Sequence, residues 1–253
     1  MSLRAIAILP ARIGSTRLPR KVLLDASGLP LFVHTARNTM LCKGLGKVIV
    51  ATDSADVLAA ADSHRIETLS TRTDHQSGTD RVREALDAQG GTWDVVLNVQ
   101  ADEPDLNPTD LESLIAAFED PDTVAATLSV PIESQEDLDR SSVVKIVLDR
   151  EGRALYFSRS AIPSRVHARH PEGEDSKEPL GLRHIGVYAY RPAALRHFCD
   201  LEPGHLEGLE NLEQLRWLEH GNSMRVLPAS RAPRGIDTPE DYAEFLERIK
   251  GNA

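Results

Sequence analysis

Short β-branched runs alternate with stretches of helical length through the first half of this chain, and that alternation constrains the fold more than any other feature. Ala5–Leu9, Lys47–Ala51 and Val95–Val99 read as strands buried on both faces, with Glu67–Leu69 as a short strand. Between them, Pro30–Met40, Asp56–Ala61 (with Ser54 placed to cap it), Thr79–Ala88 and Thr109–Phe118 read as helices. Strand, helix, strand at this spacing predicts right-handed βαβ units and an α/β fold with a mixed, mostly parallel sheet flanked by helices.

The second half changes character. Val124–Val130, Val143–Leu148, Ala154–Phe157, Ile185–Tyr190 and Met224–Leu227 are strand-like, and a polar stretch over Ser164–Glu178 reads as a long loop. Helices are expected over Pro192–Phe198, Leu206–His220 and Pro239–Ile249. No linker-like break in composition separates the halves. One domain over 1–253 is expected, with a nucleotide-binding part (about 1–130) and a second part (about 131–253) carrying a smaller sheet segment.

Composition enters as exclusion. No apolar run approaches the roughly 20 residues of a membrane span, and the start reads as a strand, not a leader, so a cytoplasmic protein without membrane insertion is expected. Cys42 and Cys199 are too few for a disulfide framework. With 39 acidic against 29 basic residues and a net charge of −10, the chain lacks the basic footprint of a nucleic-acid binder.

In an open α/β sheet, ligands bind outside the carboxyl ends of the strands. The loop after the first strand is the most unusual: Arg12–Lys21 holds four bases (Arg12, Arg17, Arg20, Lys21) and no acid. Gly14, Ser15 and Thr16 add close backbone approach and hydroxyl donors, which is chemistry suited to a triphosphate. The phosphate-loop and dinucleotide glycine fingerprints are both absent, which disfavours a dehydrogenase. After the third long strand, Asp102 and Glu103 stand where Mg²⁺ accepts one or two carboxylates, although a turn explains Asp102 equally well. His75, Gln76, Ser77 and Gly78 precede a helix that Ser77 or Thr79 can cap. By spacing alone, Asp237 belongs to the helix start at Thr238-Pro239. Glu207, Glu210 and Glu213 recur as a solvated helix face would.

Together the segments ILPARIGSTRL (Ile8–Leu18), VATD (Val50–Asp53), TRTDHQSGT (Thr71–Thr79), NVQADEP (Asn98–Pro104), LYFSR (Leu155–Arg159), RHIGVYAY (Arg183–Tyr190), LEQLR (Leu212–Arg216) and IDTPED (Ile236–Asp241) resemble the 3-deoxy-manno-octulosonate cytidylyltransferases, in family order over almost the whole chain. The resemblance implies a GT-A-like nucleotidyltransferase fold and transfer of CMP from CTP to the anomeric hydroxyl of 3-deoxy-D-manno-octulosonate (Kdo), releasing pyrophosphate for lipopolysaccharide synthesis. It also implies that Arg12, Ser15, Arg17 and Lys21 hold the triphosphate, with Arg12 and Lys21 counted among the catalytic groups. Arg72, His75, Gln76, Ser77 and Gly78 are implied around cytosine and ribose, and Gln100, Arg81, Arg159, His184, Tyr188, Glu213 and Gln214 around the sugar. Asp102 and Asp237 are implied as catalytic ligands of Mg²⁺, and a homodimer as the assembly. Arg159 and His184 are the expected partners of the sugar's own carboxylate.

The chain departs from the family pattern at Ala101, where Gly is usual, at Arg20-Lys21-Val22, where Gly-Lys-Pro is usual, and at Gly14, where Ala is usual. 8-Amino-Kdo or another ulosonic acid such as sialic acid therefore stays open as acceptor. A non-catalytic nucleotide-binding relative is the alternative of a different class.

Overall fold

Strand β1 (Ala5–Pro10) is buried along its whole length, and the sheet grows outward from it. The computed structural model describes residues 3–14, 17–164 and 179–251. In chain order the strands are β1, β2 (Leu45–Thr52), β3 (Thr68–Ser70), β4 (Val95–Asn98), β5 (Ala125–Ile132), β6 (Lys145–Leu148), β7 (Ala154–Ser158), β8 (Gly181–Tyr190) and β9 (Arg225–Pro228). The helices are α1 (Leu31–Thr39), α2 (Ala55–Ser63), α3 (Gly78–Gln89), α4 (Pro108–Ala116), α5 (Gln135–Asp139), α6 (Pro192–Asp200), α7 (His205–Glu210), α8 (Gln214–Glu219) and α9 (Pro239–Gly251).

The central path runs β3-β2-β1-β4-β8-β5-β9. Only β8 runs against its neighbours on this path, pairing antiparallel with both β4 and β5; the remaining pairs are parallel. The expectation of a mixed, mostly parallel sheet holds. β6 and β7 leave this path as an antiparallel pair joined to the start of β8, which forms the smaller segment.

Side-chain alternation along β1 explains why the sheet is covered on both faces. Ala5, Ala7 and Leu9 join α1, α2 and α4 in one apolar cluster. Ile6 and Ile8 join α3, α6 and α8 in the other. Ser54 caps α2 through Val57 N–H, as its position predicts. Ser77 and Asp80 form a reciprocal capping box at α3.

One expected element breaks. The helix predicted over Leu206–His220 is two helices, α7 and α8, because Asn211 adopts a left-handed conformation (φ 50°) that ends α7. The helical spacing of its leucines is real, but Leu209 is 70% exposed while Leu212 and Leu215 are core. The five-residue α5 falls below what periodicity detects.

Lys145 carries the smaller sheet segment. Its side chain is fully buried, and Nζ donates to the carbonyls of Arg140 (3.0 Å), Val143 (2.7 Å) and Arg159 (2.5 Å). One ammonium thus ties the 140–144 turn to the end of β7. Lys145→Met takes a donor from three carbonyls, of which that of Arg140 keeps Val143 N–H at 3.1 Å, so it is expected to cost about 3 kcal/mol in urea unfolding; a change below about 1 kcal/mol contradicts this role.

Candidate active site

The carboxyl ends of β1 and β4 open into a cavity of about 300 Å³ lined by Arg12, Gly14, Arg17, Lys21, Gly78, Gln100, Ala101, Asp102 and Asp237. At its floor, Lys21 Nζ meets both the Asp102 carboxylate and, at 2.9 Å, Asp237. Arg17 reaches the other oxygen of Asp237 at 3.1 Å. Residues 135 apart in sequence therefore converge on one cation. Burial works against charging Lys21, but Asp102 and then Asp237 outweigh it and raise its pKa. Burial likewise opposes ionisation of Asp237, yet Lys21 and Arg17 hold its pKa below the ordinary value.

Spacing alone assigns Asp237 to the helix start, but its side chain meets Arg17 and Lys21 instead. The start of α9 is capped by others: Asp241 N–H donates to Thr238 Oγ1 (3.2 Å), and the Asp241 carboxylate accepts from the N–H groups of Asp237 and Thr238. Asp237 is thereby free to face Lys21. Asp102 sits on a turn whose carbonyl accepts from Ile236 N–H (3.3 Å), which brings the two acids together. Ala101 is pinned by Thr35 Oγ1, which donates to its carbonyl at 2.9 Å. The two carboxylates are hard oxygen donors already gathered around a positive charge. They fit Mg²⁺, which takes one or two carboxylates and leaves its other positions to water and substrate oxygens. Among the described residues no group of three or more His, Cys, Asp or Glu is placed to hold a metal.

A second cavity, about 470 Å³, adjoins the first and shares Arg17 and Asp237 with it. Glu103, Arg140, Arg183, His184, Tyr188 and Gln214 line it. Buried atoms without a hydrogen-bond partner include Arg12 Nε in the first cavity and Glu103 Oε2 in the second. Unpaired polar atoms are costly to bury and mark places where a ligand supplies the partner. Burial, with the nearby charge of Asp102, pushes Glu103 up to about 8.

The other expected residues are distributed unevenly. Gln100 lines the first cavity and donates to Asn98 Oδ1 at 3.3 Å. Arg12 points its guanidinium at the carbonyls of Gln76 (3.4 Å) and His75 (3.5 Å), so the 71–78 loop is tethered to the basic loop. Arg72, His75 and Gln76 line a separate outer cavity of about 680 Å³. There the His75 ring is paired with Glu84, and Arg72 lies beside Asp74 (3.3 Å) and Glu84. Ser77 is spent on capping. Arg81, expected at the sugar, is fully buried against Asp53 (3.2 Å), Thr71 and the Arg72 carbonyl, and lines neither of the two cavities; it is a strut beneath the loop. Ser15 lies outside the described residues, as does 165–178 of the expected long loop.

The glutamates at 207, 210 and 213 are not a solvated face. Glu207 pairs with Arg216 at 2.6 Å. Glu210 accepts from Ser158 Oγ (2.6 Å) and Arg159 N–H (2.8 Å). Glu213 is reached by Thr79 Oγ1 at 2.8 Å, and burial raises its pKa. Partners from β7 and α3 override the periodic pattern.

His184 and Arg159 are also engaged: the Arg159 guanidinium donates to the carbonyls of Glu210 (2.8 Å), Ser141 (3.2 Å) and Asn211 (3.2 Å) and lines neither of the two cavities. Thr127 Oγ1 donates to the Val187 carbonyl (2.7 Å) and so accepts from His184 Nε2 (2.9 Å), which places the ring proton on Nε2. Burial pushes His184 down to about 3. An unfolded histidine takes its proton near pH 6.5, so between those values the unfolded chain binds the extra proton and native stability falls as pH falls, by about 1.4 kcal/mol per unit. His184→Gln is expected to show a shallower loss of urea-unfolding stability between about pH 6 and 4.5 than the unsubstituted protein; an unchanged slope means that the ring titrates normally in the fold.

Glu103, read from the sequence beside Asp102 as a metal carboxylate, lines the second cavity instead. Arg183 and Arg140, which line it too, escaped the sequence reading; Arg183 adjoins His184 in a segment already singled out, so proximity was the available signal. Nothing in the sequence marks Arg140.

Comparison with known proteins agrees with this geometry. A family model described as Cytidylyltransferase matches residues 6–225. A 3-deoxy-manno-octulosonate cytidylyltransferase of Syntrophobacter fumaroxidans is 44% identical, over 99% of each chain. That of Acidobacterium capsulatum is 42% identical, over 98% of this chain and 99% of the relative. Among solved structures, a CMP-2-keto-3-deoxy-manno-octonic acid synthetase complexed with CTP superposes with a TM-score of 0.88 at 35% identity, covering 99% of this chain and all of that one. A 4-diphosphocytidyl-2C-methyl-D-erythritol synthase of Anaerococcus prevotii, at 12% identity and a TM-score of 0.63, shares the fold. The chain belongs to the cytidylyltransferase family, among the 3-deoxy-manno-octulosonate cytidylyltransferases.

Proposed function

We propose that the protein transfers CMP from CTP to the anomeric hydroxyl of Kdo and releases pyrophosphate. The observation that carries this reading is the junction of two cavities at Arg17 and Asp237, one basic enough for a triphosphate and the other sized and lined for a sugar acid. Arg12, Arg17 and Lys21, with Ser15, bind the phosphate oxygens and hold the charge that develops on the departing pyrophosphate. Gly78 allows the nucleotide close to the start of α3, with Arg72, His75, Gln76 and Ser77 shaping the loop around cytosine and ribose.

The acceptor hydroxyl attacks the α-phosphorus directly, the bond to pyrophosphate breaks, and positioning with electrostatic stabilisation carries the step. Asp102 and Asp237 are the residues to hold Mg²⁺, whose chemistry when bound is Lewis-acid polarisation of phosphate and a lowered acceptor pKa. Gln100, Tyr188, Glu213 and Gln214 orient the sugar hydroxyls. The neutral His184 forms part of the wall, and Arg159 ties down the backbone at Ser141, Glu210 and Asn211.

We read the chain as one domain whose part to about residue 130 serves the nucleotide and whose remainder serves the sugar, working as a cytoplasmic homodimer. No helix among the described residues is long and apolar enough to cross a membrane. Pyrophosphate release, measured with each of the four ribonucleoside triphosphates with and without Kdo, tests the assignment. Release that needs both CTP and Kdo is expected. Equal release from another triphosphate, or none with Kdo, overturns it.

A further inference from the structure

Two large apolar clusters cover the faces of the sheet, and a smaller one stands apart from them. Its buried members are Leu31 at the start of α1, Ile236 ahead of α9 and Phe245 within α9. Leu18, Tyr242 and Ile249 pack against these three, so Tyr242, Phe245 and Ile249 make one face of α9. Leu18 directly follows Arg17 and Ile236 directly precedes Asp237. The cluster is therefore where the basic loop and the distant acid are drawn together, and the Ile236 carbonyl also accepts from Lys21 Nζ at 3.2 Å. Phe245 gathers it: the His34 ring meets it edge-on at 5.1 Å between centroids, Tyr242 stacks on it at 6.3 Å and the Arg248 guanidinium lies over it at 5.8 Å. Two polar contacts help to hold α9, the Arg248–Asp105 pair at 2.6 Å and the Tyr242 hydroxyl, which accepts from Ala26 N–H at 2.9 Å. Among the described residues, none of α9 belongs to either sheet-face cluster. The basic loop has a second anchor, because Val22 beside Lys21 is buried with Ala5, Ala7 and Leu9.

We propose that Phe245 is a positioning residue for the divalent cation: by docking α9 it holds Asp237 opposite Asp102, and the fraction of molecules with α9 docked sets the affinity for Mg²⁺. This rests on the reading of Asp102 and Asp237 as the metal-holding pair. A segment fixed by few buried apolar contacts opens locally at less cost than the whole fold. The two acids face one another only when α9 is docked, so the apparent affinity for Mg²⁺ falls in proportion to the docked fraction. Truncating Phe245 lowers that fraction, while Arg12, Arg17 and Lys21 stay on the loop that Val22 anchors.

The test is calorimetric titration of CTP in EDTA and at a series of Mg²⁺ concentrations, using wild-type, Phe245→Ala and Phe245→Leu proteins, beside amide hydrogen exchange over 239–251. Phe245→Ala is expected to raise the Mg²⁺ concentration that half-tightens CTP binding by about tenfold and to speed exchange through α9. CTP binding in EDTA is expected to weaken by less than about threefold, a split that a general loss of structure does not produce. Phe245→Leu, which keeps most of the apolar volume, falls between wild type and Phe245→Ala. If Phe245→Ala does not fold, Phe245→Leu alone decides, because its Mg²⁺ midpoint must still rise. An unchanged midpoint in the folded variant, or an equal loss of CTP binding in EDTA, overturns the assignment. A wild type whose CTP binding is indifferent to Mg²⁺ removes the reading of the acid pair instead, and the assignment with it.

Discussion

Asp102→Asn is expected to lose turnover by on the order of 1,000-fold or more while the protein stays folded. The substitution keeps shape and removes one negative charge from a carboxylate that shares Lys21 with Asp237. Its side chain is 23% exposed in the cavity and Lys21 keeps Asp237 as a partner, so the folding cost is expected to be modest, about 1 kcal/mol. The functional cost is large because the pair of acids fits a divalent cation only when both are charged. Steady-state pyrophosphate release beside a thermal melt separates the two effects. A folded Asp102→Asn protein with wild-type turnover removes Asp102 from the chemistry.

Arg12→Ala is the second large effect, and it belongs to binding. Arg12 lines the triphosphate cavity and not the acceptor cavity, and among the described residues its Nε has no partner and its terminal nitrogens make long contacts to His75 and Gln76. A guanidinium so weakly committed within the protein is available to phosphate oxygens. Losing charge-assisted hydrogen bonds of about 1.5–3 kcal/mol raises the KM for CTP by roughly 10- to 100-fold. The KM for Kdo is expected to stay within about threefold, because Arg12 does not reach the acceptor cavity. Equal losses for both substrates mean that the basic loop is not a triphosphate cradle.

The parts of this fold that sequence reveals are those whose signal is local. Ala5–Pro10 and Val95–Asn98 are buried on both faces, so an unbroken apolar run suffices to find them. Ser54 and Ser77 cap their helices through residues three positions away, which spacing also reveals. The basic loop after β1 is legible for a different reason: the α/β rule says where to look, and four bases without an acid stand there.

What escaped the sequence depends on partners distant along the chain. Glu210 reads as a surface residue until β7 brings Ser158 and Arg159 to it. Arg81 reads as a pocket residue until Asp53 and Thr71 bury it. Asn211 breaks a helix that leucine periodicity extends through, since one residue's backbone conformation leaves no trace in a hydrophobic pattern. His184 and Arg183 are neighbours in sequence, yet Thr127 occupies one while the other acts on the buried Glu103 across the cavity that both line. Periodicity finds faces; which charge is left over after pairing is a property of the folded molecule.

Calorimetric titration of CTP into wild-type and Asp237→Asn proteins, each with and without Mg²⁺, tests most directly whether two distant acids and a basic loop grip a metal-bound triphosphate. Mg²⁺ is expected to tighten CTP binding to the wild type by about tenfold or more and to leave Asp237→Asn nearly unaffected. The same tightening in both proteins would contradict the account.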